Sequence, residues 1–236
     1  MSITPPDHKV AVVTGSASGI GAAAAAELET RGWTVAGFDL RSSPRCSFDL
    51  RVDMANPDEV SAAVSRVEQE LGPVSAAVPA AGYYEMLPIS DITVDQWRRM
   101  LSVHVGGFVN LSRAVLPRMT ELGTGSIVAV ASELAIGGGS EDAHYAAAKG
   151  ALLGLVRSLA AESAPQGIRV NAVAPGPTDT PLLAPDSPWR APESLATLPL
   201  GRLTSPEEVA LCIAFLVDKG TFCVGETLNP NAGAVI

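Results

Sequence analysis

Short apolar runs alternate with longer amphipathic segments along the chain. The runs are apolar at nearly every position, which is typical of strands buried on both faces of a parallel sheet. Strands are predicted at 9–13, 34–38, 48–52, 74–78, 126–132, 168–174 and 225–229. The alternation predicts one doubly wound α/β domain spanning residues 1–236, with a central parallel sheet and helices on both faces.

Helices are predicted between these strands from their boundary residues. Asn56-Pro57-Asp58-Glu59 has a capping side chain, a proline in the first turn and two acids near the positive helix end. Gly72-Pro73 ends that helix. Further helices are predicted over 22–31, 57–71, 93–119, 143–164 and 205–217. Residues 182–204 are rich in Pro, Ala and Ser and are expected to form a flap.

Composition narrows the class of protein. The chain has 236 residues, of which 47% are hydrophobic and 17% charged, and its net charge is −9. A large core fits this composition, whereas nucleic acid and anionic membranes are poor partners for an acidic chain without a basic cluster. Three cysteines without metal-like spacing, and an N-terminus without a signal-like apolar run, predict a cytoplasmic protein with no metal site and no membrane span.

A glycine-rich turn follows the first predicted strand. Residues 14–21 read Thr-Gly-Ser-Ala-Ser-Gly-Ile-Gly and lead into an Ala-rich helix. Glycines permit close backbone approach, and a helix amino end offers free N–H groups to a pyrophosphate. This context predicts a Rossmann-like dinucleotide site that contains Gly15, Ser18, Gly19, Ile20 and Gly21.

An acid stands at the end of the second predicted strand. Asp39 follows Gly21 by eighteen residues, close to the ~20 typical of an acid that binds the adenosine ribose. A carboxylate accepts hydrogen bonds from the ribose hydroxyls and repels a 2′-phosphate, so NAD is predicted rather than NADP. The nearby Arg41 opposes this preference. Alternatively, Asp39 is a solvated acid at a strand end.

Three side chains suited to acid/base chemistry lie at or after the end of the fifth predicted strand. Tyr145 and Lys149 are four residues apart, on one face of a helix, and Ser132 lies thirteen residues before Tyr145. A nearby ammonium favours the phenolate and lowers the pKa of a tyrosine. The Tyr-Lys pair is therefore a candidate acid/base unit, although the spacing alone also occurs in helices without such a role.

Together these motifs resemble the short-chain dehydrogenase/reductase family. The glycine spacing GxxxGxG, the strand-end acid, Ser132 with YxxxK, and the Pro-Gly segment at 175–181 occur in the family's order. The resemblance implies hydride transfer between a nicotinamide cofactor and an alcohol/carbonyl pair. It also implies that Tyr145 is the general acid/base, that Ser132 hydrogen-bonds the reacting oxygen, and that Lys149 lowers the Tyr145 pKa and holds the nicotinamide ribose.

The resemblance also assigns the remaining cofactor contacts. Near the adenosine it implies Leu40, Asp53 and Met54. Near the nicotinamide it implies Ala80, Ala81, Gly82, Pro175, Gly176, Thr178 and Thr180.

Three positions depart from the family pattern. Pro79 and Ala80 replace the usual asparagines, so the polar tie between neighbouring strands is expected to be lost. His104 replaces the asparagine whose main chain holds a proton-relay water. Either His104 joins the relay and titrates between about pH 6 and 7, or it is buried packing with a pKa outside that range.

The resulting expectation is an NAD-dependent oxidoreductase that interconverts a secondary alcohol and a ketone. The alternative is a nucleotide-binding sensor or scaffold of the same fold with little turnover, which the missing asparagines favour. The apolar helix starting near Tyr145 exceeds what one sheet face covers, which predicts a homotetramer or homodimer. Tyr83, Tyr84 and Glu133 indicate only a small to medium, partly polar substrate.

Overall fold

The computed structural model describes residues 9–43 and 46–236. Seven strands form one parallel sheet in the order β3-β2-β1-β4-β5-β6-β7. The strands are β1 Val10–Thr14, β2 Thr34–Asp39, β3 Phe48–Arg51, β4 Val74–Val78, β5 Gly125–Val130, β6 Ile168–Val173 and β7 Thr227–Leu228. This confirms the predicted doubly wound sheet. Residues 1–8 and 44–45 of the predicted domain lie outside the described residues.

Helices cover both faces of the sheet. They are α1 Gly19–Thr30, α2 Pro57–Leu71, α3 Val94–Leu101, α4 Gly107–Leu122, α5 Leu134–Gly137, α6 Ala143–Ser163, α7 Pro192–Thr197 and α8 Pro206–Asp218. None of the helices within 9–43 and 46–236 is long and apolar enough to cross a membrane.

Alternate residues of the strands pack into two separate hydrophobic cores, one on each face of the sheet. Val10 and Val12 of β1 pack with residues of α2, α4 and α6 on one face. Ala11 and Val13 of the same strand pack with α1 and α8 on the other face. Burial on both faces explains why the strand runs are apolar throughout.

One predicted helix is interrupted. The segment predicted as a single helix over 93–119 contains a π-helical turn, Ser102–Gly106, between α3 and α4. Single π turns inside α-helices often occur at functional sites. Here the turn carries the buried His104.

The last strand is shorter than predicted, with two residues instead of five. Within residues 182–204, the predicted flap, the structure has a 3-10 turn at Pro188–Arg190 followed by α7. The predicted oligomer through α6 stays a prediction. Leu155 and Leu159 of that helix are only partly buried within one chain.

Candidate active site

The loops at the carboxyl ends of the strands line a cleft of about 620 Å³. The cleft opens where the strand order reverses between β1 and β4, which is the usual ligand position in such sheets. Every site residue predicted from the sequence lies on its wall. These residues are Gly15, Ser18, Gly19, Ile20, Gly21, Asp39, Leu40, Asp53, Met54, Ala80, Ala81, Gly82, His104, Ser132, Tyr145, Lys149, Pro175, Gly176, Thr178 and Thr180.

The glycine loop needs glycine for two different reasons. Gly15 has a φ of +68°, and a Cβ there would lie 2.9 Å from the Cα of Ala81. A Cβ on Gly21 would meet the carbonyl oxygen of Gly15. The loop is therefore packed against its own backbone and against the segment after β4. This packing leaves no room for a side chain at Gly15 or Gly21.

The amino end of α1 is left free to bind an anion. Ser18 occupies the N-cap position, but its side chain makes no capping hydrogen bond. Its Oγ instead accepts a hydrogen bond from Nη2 of Arg41 at 3.0 Å. The N–H groups of the first helical turn have no intrahelical partners and border the cleft, so this end suits a phosphate.

Asp39 is held in place by backbone groups. Its Oδ2 accepts a hydrogen bond from the N–H of Ala17 at 3.1 Å, and its Oδ1 accepts one from the N–H of Arg41 at 2.9 Å. The Nε of Arg41 lies 3.8 Å from the same Oδ1, and that side chain is 69% exposed. The acid is thus fixed by two backbone N–H groups, whereas the nearby cation is held only by side-chain contacts and is mostly exposed.

A threonine supplies the tie that the missing asparagines were expected to remove. The hydroxyl of Thr14 accepts hydrogen bonds from the N–H groups of Ala80 and Ala81, at 3.0 and 2.9 Å. This joins the end of β1 to the segment after β4. The expectation of a lost tie was therefore wrong. The signal was a hydroxyl residue directly before Gly15.

The segments after β3 and β6 are also ordered by hydrogen bonds. Asp53 accepts one from the N–H of Ala55 at 2.9 Å, and Asn110 donates one to the carbonyl of Met54 at 3.0 Å. After β6, the Thr178 hydroxyl donates to the carbonyl of Gly176 at 2.8 Å. Both segments present backbone to the cleft.

Ser132, Tyr145 and Lys149 converge in the cleft. Ser132 follows β5, and the other two lie one turn apart on α6. The Ser132 side chain is close enough to hydrogen-bond the Tyr145 phenol. The Nζ of Lys149 donates to the carbonyl of Val130 at 2.7 Å and lies 5.6 Å from the centre of the Tyr145 ring. All three side chains are buried.

Burial dominates the protonation of this pair. It raises the pKa of Tyr145 to about 12, although the hydrogen bond from Ser132 acts in the opposite direction. Burial likewise lowers the pKa of Lys149 to about 7. The expected lowering of the Tyr145 pKa by Lys149 is therefore absent from this structure, because desolvation disfavours both charged forms.

His104 is a neutral, buried ring. Its Nε2 lies 2.9 Å from the carbonyl oxygen of Tyr83, and its edge contacts the Tyr145 ring at 5.5 Å between centroids. Burial, together with the charge of Lys149, lowers the pKa of His104 to about 3. This favours the second sequence-based alternative, in which the ring does not titrate between pH 6 and 7.

One side of the cleft is lined by side chains. We call it the flap side, and it consists of Tyr83, Tyr84, Glu133 and Trp189. Nε1 of Trp189 donates to the Tyr84 hydroxyl at 3.2 Å, and that hydroxyl donates to Oδ1 of the buried Asp142 at 2.8 Å. The Tyr84 ring packs edge-on against Tyr145, with centroids 5.0 Å apart. Sequence analysis missed Trp189. A tryptophan within a Pro-rich flap was the available signal.

Comparisons with known proteins agree with this geometry. Residues 15–234 match the family model described as Enoyl-(Acyl carrier protein) reductase. Cis-4-hydroxycyclohexanecarboxylate dehydrogenase of Sinomonas cyclohexanicum is 40% identical over 239 residues, covering 96% of each chain.

Two solved structures are similar to the whole chain. The 3-ketoacyl-(acyl-carrier-protein) reductase from Brucella melitensis, complexed with NADH, has a TM-score of 0.91 and 28% identity, with 97% of this chain and 98% of that chain covered. Ligand-free Thermoplasma acidophilum aldohexose dehydrogenase has a TM-score of 0.89 and 30% identity, with 96% and 94% covered.

The chain belongs to the short-chain dehydrogenase/reductase family. It is therefore an oxidoreductase of a family that acts on alcohol and ketone groups. The donor set fits a nicotinamide dinucleotide, since uncapped N–H groups, a rigid acid and a glycine cradle line one cleft. Within 9–43 and 46–236, no cluster of three metal-ligating side chains occurs.

Proposed function

We propose that this protein is an NAD(H)-dependent oxidoreductase that interconverts a secondary alcohol and a ketone, with Tyr145 as general acid/base. The observation that carries the proposal is the convergence of Tyr145, Ser132 and Lys149 in the cleft that contains the glycine loop. A nicotinamide dinucleotide held by that loop supplies or accepts the hydride. The substrate oxygen then needs a proton donor and a hydrogen-bond partner.

The three side chains divide that work. The Tyr145 phenol, protonated at neutral pH, gives its proton to the oxygen of a ketone during reduction and takes it back during oxidation. The Ser132 hydroxyl hydrogen-bonds the same oxygen as charge develops on it. Lys149 has two donors left beyond its bond to Val130, and these are suited to a ribose hydroxyl and to a proton path.

The preference for NAD over NADP has its support in Asp39. The carboxylate is fixed by two backbone N–H groups, so it cannot swing away from a 2′-phosphate without losing both bonds. Ser18 and Leu40 bring no positive charge. Arg41 lies within reach but is mostly exposed, and a solvated cation offsets a fixed, partly buried charge only weakly.

The test replaces the proposed acid. Tyr145→Phe removes one oxygen and is expected to lower kcat by about 10² to 10⁴ while NAD(H) affinity stays within about threefold. Activity is followed by NADH absorbance on small secondary alcohols and ketones, including 4-hydroxycyclohexanecarboxylate, the kind of substrate named for the 40% identical relative.

Ser158→Ala is the control, since it removes one oxygen from the same helix, α6. The Ser158 hydroxyl is exposed, bonds Glu162 at 3.4 Å and is not on the cleft wall, so its loss should leave kcat nearly unchanged. If Tyr145→Phe keeps more than about a tenth of the wild-type activity, Tyr145 is not the general acid. Tight NAD(H) binding by the wild type without turnover of any substrate would favour the sensor instead.

A further inference from the structure

Glu133, directly after Ser132, has a fixed backbone on the wall of the cleft. Its N–H donates to the carbonyl of Pro175 at 2.9 Å, and its own carbonyl accepts from Ile136 and Gly137 at 2.8 and 2.9 Å. These bonds join the loop after β5 to the loop after β6. The side chain therefore starts from a rigid position beside the reacting groups.

One oxygen of the Glu133 carboxyl group is buried without a partner. The residue is only 5% exposed, and its Oε2 is buried without a hydrogen bond. No hydrogen bond or ion pair joins its side chain to any other described residue. Burying a carboxyl group in this way is costly, so such a group needs an explanation.

Glu133 lines the same cleft as Ser132, Tyr145 and Lys149. Its negative charge is close enough to raise the pKa of Tyr145, and burial raises its own pKa to about 7. Among the described residues, no lysine or arginine forms an ion pair with this carboxyl group. Lys149 uses one of its donors for the carbonyl of Val130, and Arg190 pairs with Asp179 at 2.7 Å.

We propose that Glu133 is a specificity-determining residue that accepts a hydrogen bond from a second hydroxyl group of the substrate, so that diols and polyols are preferred over simple alcohols. The inference rests on the proposed function and deepens it. A hydroxyl fits both protonation states of the acid, because each retains an acceptor oxygen. A site built around an unpaired polar group rejects analogues that cannot satisfy it.

The experiment compares cyclohexanol with cis-1,2-, cis-1,3- and cis-1,4-cyclohexanediol at saturating NAD⁺. In the wild type, kcat/KM for the best diol should exceed that for cyclohexanol by about tenfold or more. Glu133→Leu should remove this preference mainly through KM and leave cyclohexanol within about threefold. Glu133→Gln, which keeps an acceptor oxygen, should retain part of the preference.

Glu85→Gln is the matched control. Its carboxyl group lies 3.7 Å from Nε2 of His144 and is not on the cleft wall, so the diol-to-cyclohexanol ratio should not change. Equal losses on diols and cyclohexanol in Glu133→Leu, or a wild type without diol preference, would overturn the inference.

A binding measurement separates this inference from the proposed function. With NAD⁺ bound, the best diol should raise the Tm of the wild type more than cyclohexanol does, and Glu133→Leu should abolish the difference. Equal Tm shifts overturn the role of Glu133 whether or not turnover occurs. Absence of turnover on all alcohols, with the diol-specific shift intact, counts against the oxidoreductase proposal alone.

Discussion

The two sides of the cleft expose different kinds of chemical group. The glycine side consists of residues 15–21, Asp39 and residues 80–82. Apart from the Asp39 carboxylate, it offers mainly backbone groups. The flap side offers aromatic rings and a carboxyl group. On the glycine side, the polar groups that remain free are N–H groups at a helix end. On the flap side, the free polar atoms belong to Tyr83 and Glu133.

This difference affects how well each side can be recognised from sequence. A backbone cradle recognises a phosphate or a ribose through geometry that few substitutions preserve, so its sequence signal is strong. A wall of side chains changes its chemistry with every replacement. In the proposed function, the glycine side binds the cofactor and the flap side contacts the substrate.

The largest effect is expected from adding one methyl group to the backbone cradle. In Gly21→Ala the new Cβ meets the carbonyl of Gly15, so the loop must shift or open. NAD(H) affinity should fall by about 100-fold or more, close to 3 kcal/mol. Isothermal titration measures it.

Gly154→Ala is the control for this change. It adds the same methyl group within α6, where no atom lies within 4 Å of the new Cβ. Cofactor affinity should stay constant there, and helix propensity should raise stability slightly. Comparable losses of affinity in both variants would mean that the cradle is not a tight backbone fit.

A smaller effect is expected at Asp39. Replacing its carboxylate in Asp39→Ser removes the fixed negative charge and leaves Arg41 beside Ser18. The ratio of kcat/KM for NAD to that for NADP should fall by roughly 10- to 100-fold, as the guanidinium becomes a phosphate ligand.

Asp49→Ser on β3 is the control for the Asp39 variant. The Asp49 carboxylate accepts a hydrogen bond from the exposed Ser42. That control should leave the ratio unchanged. A wild type with equal use of both cofactors would show that Arg41 already outweighs the acid.

Sequence patterns predicted the glycine side well because its constraints are local. The glycine spacing, the strand ends and the helix caps are each set by neighbouring residues, and the cleft wall contains all of the residues they indicated. The central parallel sheet with helices on both faces was predicted from the apolar runs and the amphipathic segments between them, whereas the strand order comes from the structure.

The missed features depend on contacts that are distant in sequence. His104 on the π turn contacts the carbonyl oxygen of Tyr83, 21 residues away, and Trp189 bonds Tyr84, 105 residues away. The pKa of Tyr145 also was not accessible, because spacing predicts an approaching cation but not how much water both groups lose. Burial of that kind is a property of the assembled sheet.

The smallest effect concerns stability and is specific to the flap side. Burial raises the pKa of Glu133 from 4.5 to about 7, so between these pH values the native state holds a proton that the unfolded state has released. Native stability therefore falls as pH rises through this window, and the penalty is complete above pH 7. A shift of this size corresponds to roughly 3 kcal/mol.

In Glu133→Gln the titration is gone, although a polar amide remains buried. The variant should then be more stable than the wild type by about 1 to 2 kcal/mol at pH 8 and nearly equal to it at pH 5. Urea unfolding at both pH values measures the difference. A variant less stable than the wild type at pH 8 would show that the carboxylate has a stabilising partner, and the flap side would then hold no unsatisfied carboxyl group.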